Sequence, residues 1–168
     1  MGAFSNAGLG CACASLVINI ISIALPYWVY LEGPSVKIYS GLWTSCNELT
    51  IPGNTKSVCG SIGTDLVPDY LQATRALEII GLLLVVGAGI IGALKLFVMK
   101  ENQLFPLIAG GLAFAAGALM IIGAIIYAAK TPVSDIPGTT LHAGFALAIV
   151  SGVIALASGG LFVAGKSH

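Results

Sequence analysis

The residues of this chain with chemistry to offer are its four cysteines, two tryptophans and two histidines. Cys46 and Cys59 lie in the polar stretch GLWTSCNELTIPGNTKSVCG, residues 41 to 60, either side of the turn formers Pro52, Gly53 and Asn54. They flank a hairpin signal, and a disulfide between them would staple its open end. Closing so short a loop contributes roughly 3 kcal/mol in the chain-entropy account. The alternative is two unbonded thiols. Cys11 and Cys13 differ, because they sit near the start of an apolar run with no histidine nearby. They suit packed small residues, with S-palmitoylation as the other reading, and not a metal site. His142 stands alone and reads as a packed or interfacial side chain. The apolar runs show no central cluster of acids, bases or metal ligands. We therefore expect no enzyme, no cofactor and no transported substrate.

The elements that must position these residues follow from composition. The 168 residues are 57% apolar and 8% charged, with a mean hydropathy of +0.99. Soluble domains carry about 25% charged residues. At 8% the chain cannot cover itself with polar surface, so its solvent is the lipid bilayer. A formal net charge of zero leaves no electrostatic footprint for nucleic acid.

Crossing a bilayer takes about 20 apolar residues as a helix. Four runs qualify: about 7–25, 76–99, 105–129 and 140–164. They are continuous rather than alternating, which favours helices over barrel strands. The first has no lysine or arginine before Lys37, so it reads as a retained span and not a cleaved signal. Small residues recur every fourth position: Ala109, Ala113 and Gly117; Gly144, Ala148 and Gly152; Ser151, Ala155 and Gly159; Gly89 and Ala93. Such rows let helix backbones approach closely, mainly within one bundle and otherwise between copies. The lysines do not decide orientation. The paired cysteines do, since a disulfide needs an oxidising compartment. The loop at about 26–70 is then extracellular, as is a second loop at about 130–139, and both termini are cytoplasmic. The whole is a single tetraspan domain.

The first loop reads as strands. YWVYL at 27–31 is aromatic and β-branched, and VKIYSGLW at 36–43 alternates. Val36, Ile38, Ser40 and Leu42 fall on one face; Lys37, Tyr39, Gly41 and Trp43 fall on the other. NELTI at 47–51 and KSVCG at 56–60 flank the turn.

These residues resemble a family. GLW at 41–43, then Cys46, then Cys59, is similar to the claudin-superfamily signature. LPYW at 25–28 resembles the close of the first span in claudins, and LVPDYLQATRAL at 66–77 resembles the start of their second. The superfamily includes claudins, peripheral myelin and epithelial membrane proteins, lens fibre membrane protein and the gamma subunits of channels and receptors. The resemblance implies an all-α membrane fold: a left-handed bundle of four helices with a small extracellular antiparallel sheet. It also implies a short amphipathic extracellular helix at about Leu66 to Tyr70. Trp28, Gly41, Leu42 and Trp43 would anchor the sheet at the outer leaflet. Arg75 would pair with loop groups, and Glu78 lies one turn on, at the spacing of an ion pair with Arg75. The function implied is structural and adhesive: lateral homo-oligomers in cis, contacts in trans, and a paracellular barrier or ion path at cell junctions. Glu48, Asp65 and Asp69, with Glu32, outnumber Lys37 and Lys56 in the loop. That balance would favour cations if the loop lines a path, and otherwise makes a solvated face. The alternatives are an auxiliary subunit docked on a channel or receptor, and a membrane organiser like the epithelial membrane proteins.

Overall fold

A computed structural model describes residues 3–51, 54–63, 67–98, 104–131 and 136–165. Four helices carry the apolar runs: α1 (Ala3–Ala24), α2 (Asp69–Phe97), α3 (Leu104–Lys130) and α4 (Ala143–Ala164). Each is long and apolar enough to cross a membrane. In the bundle α1 packs on α2 and α4, and α3 packs on α2 and α4. Five strands complete the fold: β1 (Val29–Glu32), β2 (Val36–Ser40), β3 (Thr44–Ile51), β4 (Asn54–Ser61) and β5 (Thr139–Leu141). They form one antiparallel sheet in the order β4-β3-β2-β1-β5. The expected tetraspan bundle with a small antiparallel sheet is the architecture present.

Gly117 on α3 and Gly152 and Gly159 on α4, from the small-residue rows, lie in the seam between those helices. A Cβ on Gly117 would stand 2.6 Å from the Gly152 carbonyl oxygen, and one on Gly159 would stand 3.0 Å from that of Gly110. Backbones this close gain dispersion and weak Cα–H···O contacts that larger residues would forbid. Gly89 belongs to a different class, since a Cβ there would meet nothing within 4 Å. The α1–α4 seam uses hydroxyls instead. Ser15 donates to the Ser151 carbonyl (2.8 Å), Ser22 to that of Gly144 (2.7 Å), and Ser158 to that of Gly8 (2.8 Å). In lipid these groups have no water to turn to, so helix-to-helix pairing is where they are satisfied. At the far end the Phe162 ring fills the slot that Gly8 and Gly92 leave open on α1 and α2.

The first helix begins at Ala3, a turn before the run at about 7, and two further boundaries differ from the hydropathy reading. The fourth helix begins at Ala143, because Thr139 to Leu141 is drawn into the sheet as β5 beside β1. The register is Val29 with Leu141, Tyr30 with Thr140 and Leu31 with Thr139. β-branched threonines suit a strand, and the edge of β1 supplies the partners. Gly138 makes the turn possible, with φ at +87° and its α-carbon tight against the Glu32 carbonyl. The second helix begins at Asp69, well before the apolar run. Its first amides bond to the Pro68 carbonyl (Leu71 N–H at 2.9 Å, Gln72 N–H at 3.3 Å). The separate amphipathic helix expected at about Leu66 to Tyr70 is therefore not formed among the described residues: Val67 lies outside any helix, Pro68 is extended, and Asp69 and Tyr70 are the first turn of α2. Leu66 lies outside the described residues, as do Pro52 and Gly53 of the hairpin turn.

Candidate functional site

The sheet meets the bundle through the residues of the GLW stretch and the end of α1. Trp28 is fully enclosed, with no exposed surface, and so is Leu42. The Trp28 indole N–H donates to the Ser22 carbonyl at 2.8 Å, at the open C-terminal end of α1. Its ring meets Tyr127 of α3 edge-on at 5.0 Å, in the electrostatically favoured arrangement. Its pyrrole edge, Cδ1 and Nε1, rests on Gly144 of α4, where a Cβ would collide with the indole. Val67, Leu71, Ala124 and Ala148 close the same cluster. Trp28 thus holds the sheet from inside the protein, not by contact with lipid. Gly41 is buried with its α-carbon against the Leu25 carbonyl and Pro26, a spacing no other residue type accepts. Trp43 differs from both, being exposed at its rim with the Arg75 guanidinium 4.6 Å above its ring.

Arg75 is buried and turned toward the loop. Its Nε–H donates to the Leu42 carbonyl (2.8 Å) and its Nη2 to the Ile62 carbonyl (3.3 Å). One side chain on α2 therefore grips the strand ends on both sides of the β3–β4 hairpin. The expected ion pair with Glu78 is not formed. Glu78 points into the bundle, fully buried, and accepts a 2.7 Å bond from the Asn19 side-chain N–H on α1. The spacing would allow the pair, but the Leu42 and Ile62 carbonyls on one side and Asn19 on the other draw the two side chains apart. Glu78 and Asn19 escaped the sequence reading as a pair. The signal was present, since Glu78 is the acid inside the second apolar run and Asn19 the amide inside the first, and polar groups within spans are rarely neutral to function.

Cys46 and Cys59 are bonded and stand directly opposite each other on β3 and β4. They sit near the open end of the hairpin, with Cys46 buried and Cys59 exposed. β4 is the outer strand of the sheet, and all eight of its residues are exposed. One face of the hairpin carries Leu49, Ile51 and Val58, all exposed. The register places Val36 and Ile38 on the same face of β2, the face the alternation pattern assigns to them.

The loop charges are partly spent on one another. Lys37 lies between Glu32 on β1 and Glu48 on β3 in the cross-strand register, with a 3.5 Å ion pair to Glu32. Tyr30 first, then Glu32, hold the Lys37 ammonium above its ordinary pKa. Asp69 is exposed in the first turn of α2, where a carboxylate complements the helix dipole. Asp65 lies outside the described residues. His142 precedes the first turn of α4 and tilts against Tyr27 (6.0 Å) and Tyr30 (5.7 Å), while Tyr27 stacks on Tyr39 at 4.8 Å. Cys11 is half-buried on α1 and Cys13 is exposed on its outer surface. Among the described residues no group of three or more His, Cys, Asp or Glu could hold a metal ion.

Four apolar helices, a stapled sheet beside the GLW stretch and an arginine tying the two together agree with a comparison across protein families. The model of the PMP-22/EMP/MP20/Claudin family matches residues 4–162. The chain belongs to this family. The match takes in most of every span and the whole sheet of this claudin-family protein, so the likeness is not confined to the cysteine motif. No curated protein matches the chain. As a claudin-family chain with four spans, it is a multi-pass membrane protein embedded in the bilayer.

Proposed function

We propose that this protein is a non-enzymatic structural protein of cell–cell contacts. It lies in the plasma membrane with cytoplasmic termini and the sheet outside, assembles laterally with copies of itself, and meets opposing sheets across the gap. The carrying observation is the β3–β4 hairpin, which ends the sheet in an eight-residue exposed strand and bears Leu49, Ile51 and Val58 on one face. An exposed strand edge beside an apolar face is a surface that pairs with other chains unless it is covered. The disulfide holds that surface in one shape at its base. Family membership supports the reading, since the family takes its printed name in part from claudins.

Expression in cells that lack claudins, imaged at their contacts by freeze-fracture, tests it. Continuous strands are expected for the native chain and none for the Cys46→Ser, Cys59→Ser double variant. Dispersed protein without strands, copurifying with a larger channel or receptor, would move the assignment to an auxiliary subunit. Dispersed protein without such a partner would move it to a membrane organiser.

If the assembly lines an ion path, its cation preference rests on Glu48 and Asp69, with Asp65. Replacing Glu48 and Asp69 by lysine is expected to lower the sodium-to-chloride permeability ratio of a cell layer severalfold. An unchanged ratio would remove these carboxylates from the path.

A further inference from the structure

The most unusual chemistry in the bundle lies beneath the sheet junction, where all four helices contribute to one polar centre. Glu78 of α2 and Asn19 of α1 are joined by the 2.7 Å bond from Asn19 Nδ2 to Glu78 Oε2. Ser151 of α4 stands 3.5 Å from Asn19 Nδ2, donates to the Ala148 carbonyl at 2.8 Å, and lies 3.7 Å from the Met120 sulfur of α3. Glu78, Asn19 and Ser151 have no exposed surface. Two atoms in this centre are buried without a hydrogen-bond partner: Glu78 Oε1 and Asn19 Oδ1. Both are acceptors, and they belong to the two groups already bonded through their other atoms.

The accounting leaves one thing missing, a single hydrogen. An ionised Glu78 would be an uncompensated charge within a low-dielectric bundle, at a cost of several kcal/mol per ion even after relaxation. The groups packed around it supply no countercharge. α1 offers no acid or base beyond the thiols of Cys11 and Cys13, nearer its other end. On α2, Arg75 is committed to the Leu42 and Ile62 carbonyls, Lys95 lies in the last turn at the opposite end, and Asp69 and Tyr70 lie in the first turn. α3 has Tyr127 against Trp28 and Tyr70, and Lys130 at its end. α4 has no ionisable side chain, and His142 before it is held among tyrosines. Gly123 of α3 faces Glu78 directly, and a Cβ there would lie 3.5 Å from Oε1, so that oxygen is met by backbone carbon and not by a donor.

We propose that Glu78 and Asn19 form a buried proton-binding site, a carboxylic acid–carboxamide pair closed by one proton. Asn19 Nδ2–H donates to Glu78 Oε2, and Glu78 Oε1–H donates to Asn19 Oδ1. That single proton satisfies both open acceptors and removes the charge. It also makes the join between α1 and α2 a two-bond clasp, with Ser151 and Met120 bringing α4 and α3 to the same point. The clasp depends on protonation. Loss of the proton turns a mutual pair into two facing acceptors and leaves a charge inside the bundle, which favours separation of α1 from α2.

The test uses the full chain in lipid nanodiscs, read by infrared spectroscopy and by thermal unfolding across pH, in sodium chloride and in choline chloride. At neutral pH the native chain is expected to show the carbonyl band of a protonated carboxylic acid, absent from Glu78→Gln. Glu78→Gln supplies both a donor and an acceptor at this position without a titrating proton. The native chain then binds one more proton folded than unfolded, so its stability falls as pH rises, while that of Glu78→Gln does not follow it. Asn19→Leu gives a second readout should Glu78→Gln fold poorly. There the acid band persists but moves to the higher frequency of a carboxyl freed from its amide. Absence of the acid band at neutral pH overturns the proposal. So does a melting temperature of the native chain that sodium raises over choline, since the oxygens would then be held by a bound cation.

Discussion

Trp28→Ala is expected to lower the stability of the folded chain by about 3–5 kcal/mol, the range for truncating a large buried aromatic. Three losses add together. The ring leaves a cavity among Tyr127, Gly144, Leu42 and Ala148, and lipid cannot fill it from outside because nothing of Trp28 is exposed. The Ser22 carbonyl at the end of α1 loses its 2.8 Å donor, and a buried acceptor without a partner costs about 1–3 kcal/mol. The edge contact with Tyr127 at 5.0 Å also goes. Gly144 cannot compensate by itself, since its neighbourhood was shaped for an indole. Unfolding in mixed micelles checks the magnitude. Trp28→Phe separates the terms, because it keeps much of the packing and loses the N–H, so it should cost about 1 kcal/mol more than packing alone predicts. A Trp28→Ala chain as stable as the native one would mean that the sheet is held by something other than this plug.

Arg75→Ala is the second large effect. Each hydrogen bond from a charged donor contributes about 1.5–3 kcal/mol, and Arg75 makes one at 2.8 Å and a longer one at 3.3 Å besides its contact with Trp43. We expect a loss of about 3 kcal/mol that is local in character. The Leu42 and Ile62 carbonyls are freed at the two sides of the hairpin, so residues 41–62 should exchange their amides much faster. The helix seams, which share none of these bonds, should keep their protection. Arg75→Lys should resemble Arg75→Ala, because an ammonium cannot present the fixed planar fork that reaches two carbonyls while stacking on an indole. Equal protection of residues 41–62 in native and variant chains would show that the disulfide alone holds the hairpin.

These two residues also show how far the sequence could be read. Arg75 was legible as a charge at the end of a span that ties the loop down, but its partners were not. Spacing along α2 offered Glu78, whereas the structure gives Arg75 two carbonyls from residues 42 and 62 and gives Glu78 an amide from residue 19. Trp28 was legible as an anchor. Whether it faced lipid or the interior depended on Gly144, more than a hundred positions away.

What the sequence determined by itself is everything with a local cause. Four runs of apolar residues must become helices, since lipid leaves the backbone no other partner. Alternation and turn formers mark residues 36–43, 47–51 and 56–60 as strands, and cysteines on either side of one turn are close enough to bond. Small residues every fourth position allow two helices to touch. The tertiary structure decided what lies between distant segments. It placed Thr139 to Leu141 on the edge of β1, turned three serine hydroxyls of α1 and α4 across their seam, and closed Glu78 on Asn19. A hydrogen bond has no periodicity along the chain. Its partner is whichever donor or acceptor the packed helices bring within 3 Å or so, and that is settled only when the bundle closes.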